Sequence, residues 1–353
     1  MKILFTDSDR WYTNNNFRYI LWFQPSFGII AFSSNTLYIL LDSRYIDKIE
    51  NIDKQNIFEL LNIKKIKTIN IKKNYIHYLN KITSKSKNIY LENQVSYYFI
   101  EKIKKLKKEV KIKNNFFEKK RIFKNNKEEE NIKKAIKVID NVFKQIEKLN
   151  KKNKLQWKTE LEIRWIIISL ILENQAEAES FESIVAFWKN SAIPHHTSWN
   201  TIIKDWPLLI DMWALYNWYC SDFTRTFWVW DKNTKDYSYK EFKEIYKVVK
   251  TAHNKAITKF KIDIKAKEID KAARDYIKLK WYWEYFTHST GHWLWINIHE
   301  KPWINSKSNI KLQNWMFFTI EPWIYLKNNF WIRLENIVHV KNNKLKIYSK
   351  IKI

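Results

Sequence analysis

Apolar residues follow two rhythms along the chain. Up to about Lys120 they gather in short runs: YILWF at 19–23, IIAFSS at 29–34, LYILLD at 37–42, TINIK at 68–72 and NIYLE at 88–92. Lys-rich stretches with helical spacing separate them. Runs of that length read as strands, and their alternation with helices predicts an α/β domain. From Lys124 the rhythm changes. KEEENIKKAIKVIDNVFKQIEKL and KTELEIRWIIISLILE repeat apolar residues at helical spacing, which predicts two long helices. Strands and turns follow Ser183, then helices over 239–261 and near 265–278, and strands again from Thr287 to Ile353. This grouping predicts an α+β domain with helices on one side of a largely antiparallel sheet. The boundary falls near Arg121–Asn126, dividing the chain into 1–122 and 123–353 with no Pro/Gly linker.

Length and composition agree with two folded domains. The chain has 353 residues, 45% of them hydrophobic, enough for a large core and against disorder as the dominant state. The longest apolar stretch, Ile20–Leu41, is interrupted by Gln24, Pro25, Ser26 and Asn35, so no membrane span is expected. MKILFTDSDR is polar by its sixth residue and carries no secretory core. A single cysteine, Cys220, excludes an internal disulfide framework and fits a cytoplasmic location. The net charge of +27 is spread out, with local maxima of +8 over 61–90 and +6 over 101–120. The second maximum, IEKIKKLKKEVKIKNN, alternates Lys with Ile and Leu as a solvated helix or an edge strand does. Nucleic-acid binding is therefore a minor alternative, not the expected main function.

Two Gly stand against nineteen Trp, whereas ordinary usage would give roughly 25 Gly in a chain of this length. A two-domain fold needs positive-φ residues in its turns, and Gly is their usual occupant. Trp218 follows Asn217 between LLIDMWALY and YCSDFTRTF, where Asn-Gly would be the strongest hairpin signal. Trp293 and Trp295 alternate through a strand pattern, as do Trp228 and Trp230, and Trp323 follows a Pro, placements unlike those of core aromatics. The expectation is that many of these Trp stand where the source organism reads the codon, UGA, as Gly.

The candidate chemistry is carried by carboxylates and histidines. If Asn217–Trp218 is a two-residue turn, residues whose numbers sum to 435 pair, so Asp222 faces Trp213 and Asp211 lies two residues away on the same face. Diagonal neighbours have Cβ atoms roughly 7–8 Å apart, which brings the carboxylates together without contact. Like charges so placed repel unless a cation lies between them. His288 and His292 share strand parity, His299 closes their segment, Glu321 ends the apolar run MFFTIE, and Arg333 and Glu335 share a face of WIRLENIV. Four carboxylates with one imidazole form a mostly oxygen ligand set. That set suits manganese-like ions, with Zn, Co and Fe as alternatives.

At these residues the sequence resembles the pita-bread metallopeptidases (creatinase and methionine aminopeptidase-like), in particular the Xaa-Pro aminopeptidase and Xaa-Pro dipeptidase (prolidase) branch. NSAIPHH, LIDMWALYNWYCSDFTRTF, HSTGHWLWINIHEKP, TIEPWIYL and WIRLEN match its motifs in order, most closely when Trp is read as Gly. The resemblance implies a smaller creatinase-like α/β amino-terminal domain and a pita-bread catalytic domain. It implies metal ligands Asp211, Asp222, His292, Glu321 and Glu335, with Asp222 and Glu335 bridging two divalent ions, Mn first, that share a hydroxide. Glu321 then serves as acid/base, His288 stabilises the tetrahedral intermediate, and His195, His299 and Arg333 bind substrate. Proline-containing peptides, a homodimer and no membrane or nucleic-acid partner complete the implication. Asn336 departs from the usual Asp, and His196 leaves open which of two adjacent histidines faces the pocket. The alternatives are a methionine aminopeptidase, which shares the five ligands, and a non-catalytic relative.

Overall fold

The structure, a computed structural model, describes residues 1–8, 14–72, 74–113, 116–193, 196–229, 237–294, 300–326 and 329–353, except for the side chains of Glu118 and Tyr237. The chain forms two compact units, Met1–Lys120 and Arg121–Ile353. Among the described residues no helix is long and apolar enough to cross a membrane.

The first unit is built on a six-stranded mixed sheet in the spatial order 65–70, 36–41, 27–32, 2–7, 88–92, 109–113. Four of the five expected strand runs occupy it, and YILWF does not. Tyr19–Leu21 belong to the helix Asn15–Leu21, which Asn14 caps by accepting from the Asn16 backbone N–H. Side-chain amides of Asn14 and Asn16 donate to the two oxygens of the buried Glu92 carboxylate at 2.8 and 2.7 Å. This non-local anchor outweighs the β propensity of Tyr and Ile. A central strand, Lys2–Asp7, lies where no strand was expected. The basic run divides into the helix Tyr97–Lys104 and a largely exposed edge strand, Glu109–Lys113. Its lysines are thereby solvated, and Lys is a usual guard of an open sheet edge.

In the second unit the two expected long helices are Asn126–Lys151 and Glu160–Glu173. Each starts in a capping box, Asn125 with Glu128 and Thr159 with Glu162. They pack Val138, Val142, Ile146, Ile163 and Ile167 against Val185, Leu208 and Ile210. Those last residues belong to a three-stranded antiparallel sheet ordered 223–228, 207–212, 184–187. A second helix pair, Tyr237–Lys259 and Ala266–Leu279, buries Ile245, Val249, Ile269 and Ala273 with Phe318, Ile320 and Val338. Phe318, Ile320 and Val338 lie in a five-stranded antiparallel sheet ordered 300–304, 291–293, 317–320, 336–341, 344–347. A ribbon pairs 323–325 with 331–333.

The Asn217–Trp218 hairpin forms in the expected register. Tyr216 pairs with Tyr219, Leu215 with Cys220, and beyond an irregular step Met212 pairs with Phe223 and Asp211 with Thr224. Both turn residues have positive φ, 48° and 70°. Trp22, Trp157, Trp188, Trp281 and Trp315 also lie in the left-handed region, at φ 50–73°. In contrast to the expectation for these aromatics, Trp228, Trp293 and Trp323 are buried within the apolar core, as are Trp213 and Trp331, while Trp230 and Trp295 lie outside the described residues. Gly291 has a different role: a Cβ there would lie 2.0 Å from the Thr319 carbonyl oxygen, so only Gly lets these two strands approach.

Candidate metal centre

The hairpin arms and the second sheet bring the carboxylates together. Asp211 is the penultimate residue of the strand Pro207–Met212, and Asp222 lies just before Phe223–Trp228. His292 sits in Gly291–Trp293, and Glu335 immediately precedes the strand Asn336–Lys341. Glu321 follows Phe317–Ile320, and its backbone N–H donates to the Thr290 carbonyl at 2.8 Å. The Glu335 N–H donates to the Thr224 carbonyl at 3.2 Å, tying the two sheets at the site.

Asp222, His292 and Glu335 each present a ligand atom, all within 4.8 Å of one another, and all three residues are buried. His292 Nε2 lies 3.5 Å from Asp222 Oδ2 and 3.3 Å from Glu321 Oε1. Its Nδ1 lies 3.1 Å from the Trp293 carbonyl. A proton on Nδ1 satisfies that contact and leaves the Nε2 lone pair facing the carboxylates, the tautomer a metal ligand requires. Thr319 accepts from the His292 N–H at 3.0 Å and donates to Glu321 Oε1 at 3.0 Å.

Burial, followed by the charges of Glu335 and Glu321, pushes the Asp222 carboxyl well above its ordinary range. Glu321 rises through burial and then the Glu335 charge, and Glu335 rises chiefly through burial. Glu335 Oε1 is buried without a hydrogen-bond partner. A buried carboxylate oxygen without a donor is costly, and a divalent cation between these groups offsets both that cost and the mutual repulsion. The donor set therefore fits a metal.

Two expected residues have further engagements. Asp211 forms a close ion pair with Arg333 and receives the Thr224 hydroxyl at 2.9 Å. Arg333 Nε donates to Thr224 Oγ1 at 2.9 Å, so the proposed substrate-binding guanidinium leans on a ligand candidate. His288 lines the cavity beside Trp323, with ring centroids 4.7 Å apart, and its carbonyl accepts from Arg274 at 2.7 Å. Arg274 is in turn gripped by both oxygens of Asp270. His195 and His299 lie outside the described residues. His196 bonds to Glu160 at 2.8 Å.

The cavity holds about 310 Å³ and is lined by Asp211, Asp222, His288, His292, Glu321, Arg333 and Glu335. Four indoles also line it, Trp213, Trp303, Trp323 and Trp331. Trp213 Nε1 donates a short hydrogen bond to Asp222 Oδ1, and the Trp323 and Trp331 rings lie 4.1 Å apart. Thr224 was missed as a functional residue, although the hairpin arithmetic places it opposite Asp211. Asp270 and Arg274, one helical turn apart, carry no sequence signal tying them to His288.

Residues 130–342 match the profile Metallopeptidase family M24. The chain is 35% identical over 268 residues to the Xaa-Pro dipeptidase of Pyrococcus horikoshii, covering 75% of this chain and 73% of that one. The crystal structure of the X-Pro aminopeptidase from Thermotoga maritima superposes with a TM-score of 0.84 at 27% identity, over 99% of this chain and 95% of the other. The prolidase from Pyrococcus furiosus gives 0.82 at 28% identity, over 100% and 96%. The fold is accordingly that of the prolidases, an amino-terminal domain followed by a pita-bread domain.

Proposed function

Because the chain belongs to metallopeptidase family M24, we propose that this peptidase cleaves the Xaa-Pro bond at the amino end of peptides or in Xaa-Pro dipeptides. The observation that carries the reading is the convergence of Asp222, His292 and Glu335 beside Glu321 in one cavity. Asp222, Glu335 and His292, joined by Asp211 and Glu321, would hold two divalent ions, with Mn the first candidate for this oxygen-rich set. Such ions would supply Lewis acidity and a water acidic enough to act as nucleophile near neutral pH.

The chain's own residues do the rest. Glu321, oriented by Thr319, takes and returns protons. His288 donates to the carbonyl oxygen as charge develops there, and Arg274 and Asp270 fix its backbone. Arg333, His195 and His299 hold the proline unit, whose imide nitrogen has no hydrogen to offer. A homodimer in the cytoplasm completes the proposal, and a single, buried cysteine, Cys220, agrees with a reducing compartment. Release of Ala from Ala-Pro and of Met from Met-Ala-Ser, measured side by side, tests the reading. Faster cleavage of the Met peptide would replace it with methionine aminopeptidase activity.

We also propose that many of the nineteen Trp are Gly in the protein its own organism makes. Support comes from six Trp among the described residues with φ between 50° and 73°, while neither Gly has positive φ. A left-handed conformation costs an L-residue roughly 1–2 kcal/mol and Gly almost nothing. Gly at 213, 303, 323 and 331 would remove four indoles from the cavity and leave more room for a peptide.

A further inference from the structure

We propose that Glu160 is a positioning residue for the substrate side of the cavity, an inference resting on the peptidase reading above. Glu160 opens the helix Glu160–Glu173, and its side chain is fully buried. It does not line the cavity. Four donors nevertheless converge on its two oxygens. Oε1 accepts from the Phe187 N–H at 2.7 Å and from the Asn190 side-chain amide at 3.0 Å. Oε2 accepts from His196 Nε2 at 2.8 Å and from the Trp199 N–H at 3.2 Å.

Those donors come from the start, middle and end of the segment 187–199. Between them lie Ser191 and Ile193, which line the cavity, and His195. Ser191 Oγ accepts from the Trp331 N–H at 3.0 Å, which ties the same wall to the strand carrying Arg333. A carboxylate is an acceptor only, and its lone pairs match four donors. Gln has the same shape but turns one oxygen into an N–H donor, which would face two of the four. Glu160 thus sets where the wall stands without touching metal ligands or substrate.

The test compares wild type, Glu160→Gln, His196→Gln and His196→Phe. The expected outcome for Glu160→Gln is a rise in KM of about tenfold with kcat changed far less, the pattern of lost substrate binding. Metal content should equal that of wild type. Hydrogen exchange should quicken at the amides of Phe187 and Trp199 while those of 208–212 stay protected. His196→Gln, whose amide still donates, should keep KM near wild type, and His196→Phe should raise it. An unchanged KM, a loss of metal in step with activity, or unchanged exchange at Phe187 and Trp199 would each overturn the proposal. If Glu160→Gln does not fold, the two His196 variants decide. Assays use whichever of Ala-Pro and Met-Ala-Ser the wild type cleaves. Cleavage of neither defeats the peptidase reading, and hydrogen exchange then decides for or against Glu160 by itself.

Discussion

Thr224 Oγ1 lies 2.9 Å from Asp211 Oδ1 on the neighbouring strand, the residue it pairs with in the antiparallel ladder. The same hydroxyl lies 2.6 Å from Glu335 Oε2, so one side chain spans ligand candidates from both sheets. Having one proton, it donates to only one of them at a time. Thr224→Val keeps the shape and removes that link. Metal affinity measured by titration should fall roughly 10–100-fold, the usual effect of losing a partner that orients ligands. Affinity equal to wild type would show that Thr224 has no such role.

Asp222→Ala or Glu335→Ala should lose an ion outright, since each removes a carboxylate from the centre of the cluster. Metal analysis after dialysis reads the stoichiometry. Two ions retained in either variant would contradict the ligand assignment.

His288 and Glu321 should separate rate from metal binding. His288→Ala is expected to lower kcat by on the order of 10²–10³ with metal content unchanged, as for loss of a donor to a developing oxyanion. Glu321→Gln should lose activity and part of the metal affinity together, because its carboxylate lies 3.3 Å from His292 Nε2.

The left-handed tryptophans make a separate prediction. Trp218→Gly should stabilise the Trp-bearing protein by roughly 1 kcal/mol through relief of backbone strain at φ 70°. The gene should carry one codon at Trp188, Trp213, Trp218, Trp293, Trp295, Trp315, Trp323 and Trp331, and at Trp22, Trp157 and Trp281 as well. An intact mass of the native protein equal to nineteen Trp defeats the idea.

Stability should fall in mild acid for a defined reason. His253 is buried, and burial, aided by the Arg225 charge, pushes its pKa down to about 3. His339, buried beside Glu129, is lowered to about 4. In the unfolded chain both titrate near 6.5, so the folded state resists a proton that the unfolded state takes up. Their contribution is complete above about pH 6.5 and is lost as pH falls towards the folded values, by up to about 1.4 kcal/mol per pH unit for each group. Urea midpoints at pH 7 and pH 5 should differ in wild type, and His253→Phe should reduce the difference. Equal dependence in variant and wild type would remove His253 from the account.

Local chemistry was legible wherever it is self-contained. The capping boxes at Asn125 and Thr159 announce the two long helices, because Glu three residues on completes each cap within one turn. The hairpin register follows from Asn217–Trp218, since a two-residue turn fixes every pairing that continues from it. It also brings Asp222 back to the face of Asp211. Ordered spacing of carboxylates and histidines pointed to five candidate ligands, of which Asp222, His292 and Glu335 bring ligand atoms within 4.8 Å of one another. What sequence could not decide depends on groups distant along the chain. Tyr19–Leu21 of YILWF joined a helix because Asn14 and Asn16 found Glu92, and His196 was drawn to Glu160, 36 residues earlier. Arg333 was assigned to substrate, yet it meets Asp211 because two sheets adjoin at Thr224, a contact no local pattern encodes. The sequence thus determined most of the elements and an ordered set of candidate ligands through short-range periodicity and turn chemistry. Only the tertiary structure decided which buried charge meets which, because a carboxylate removed from water takes whatever donors the packing brings within reach.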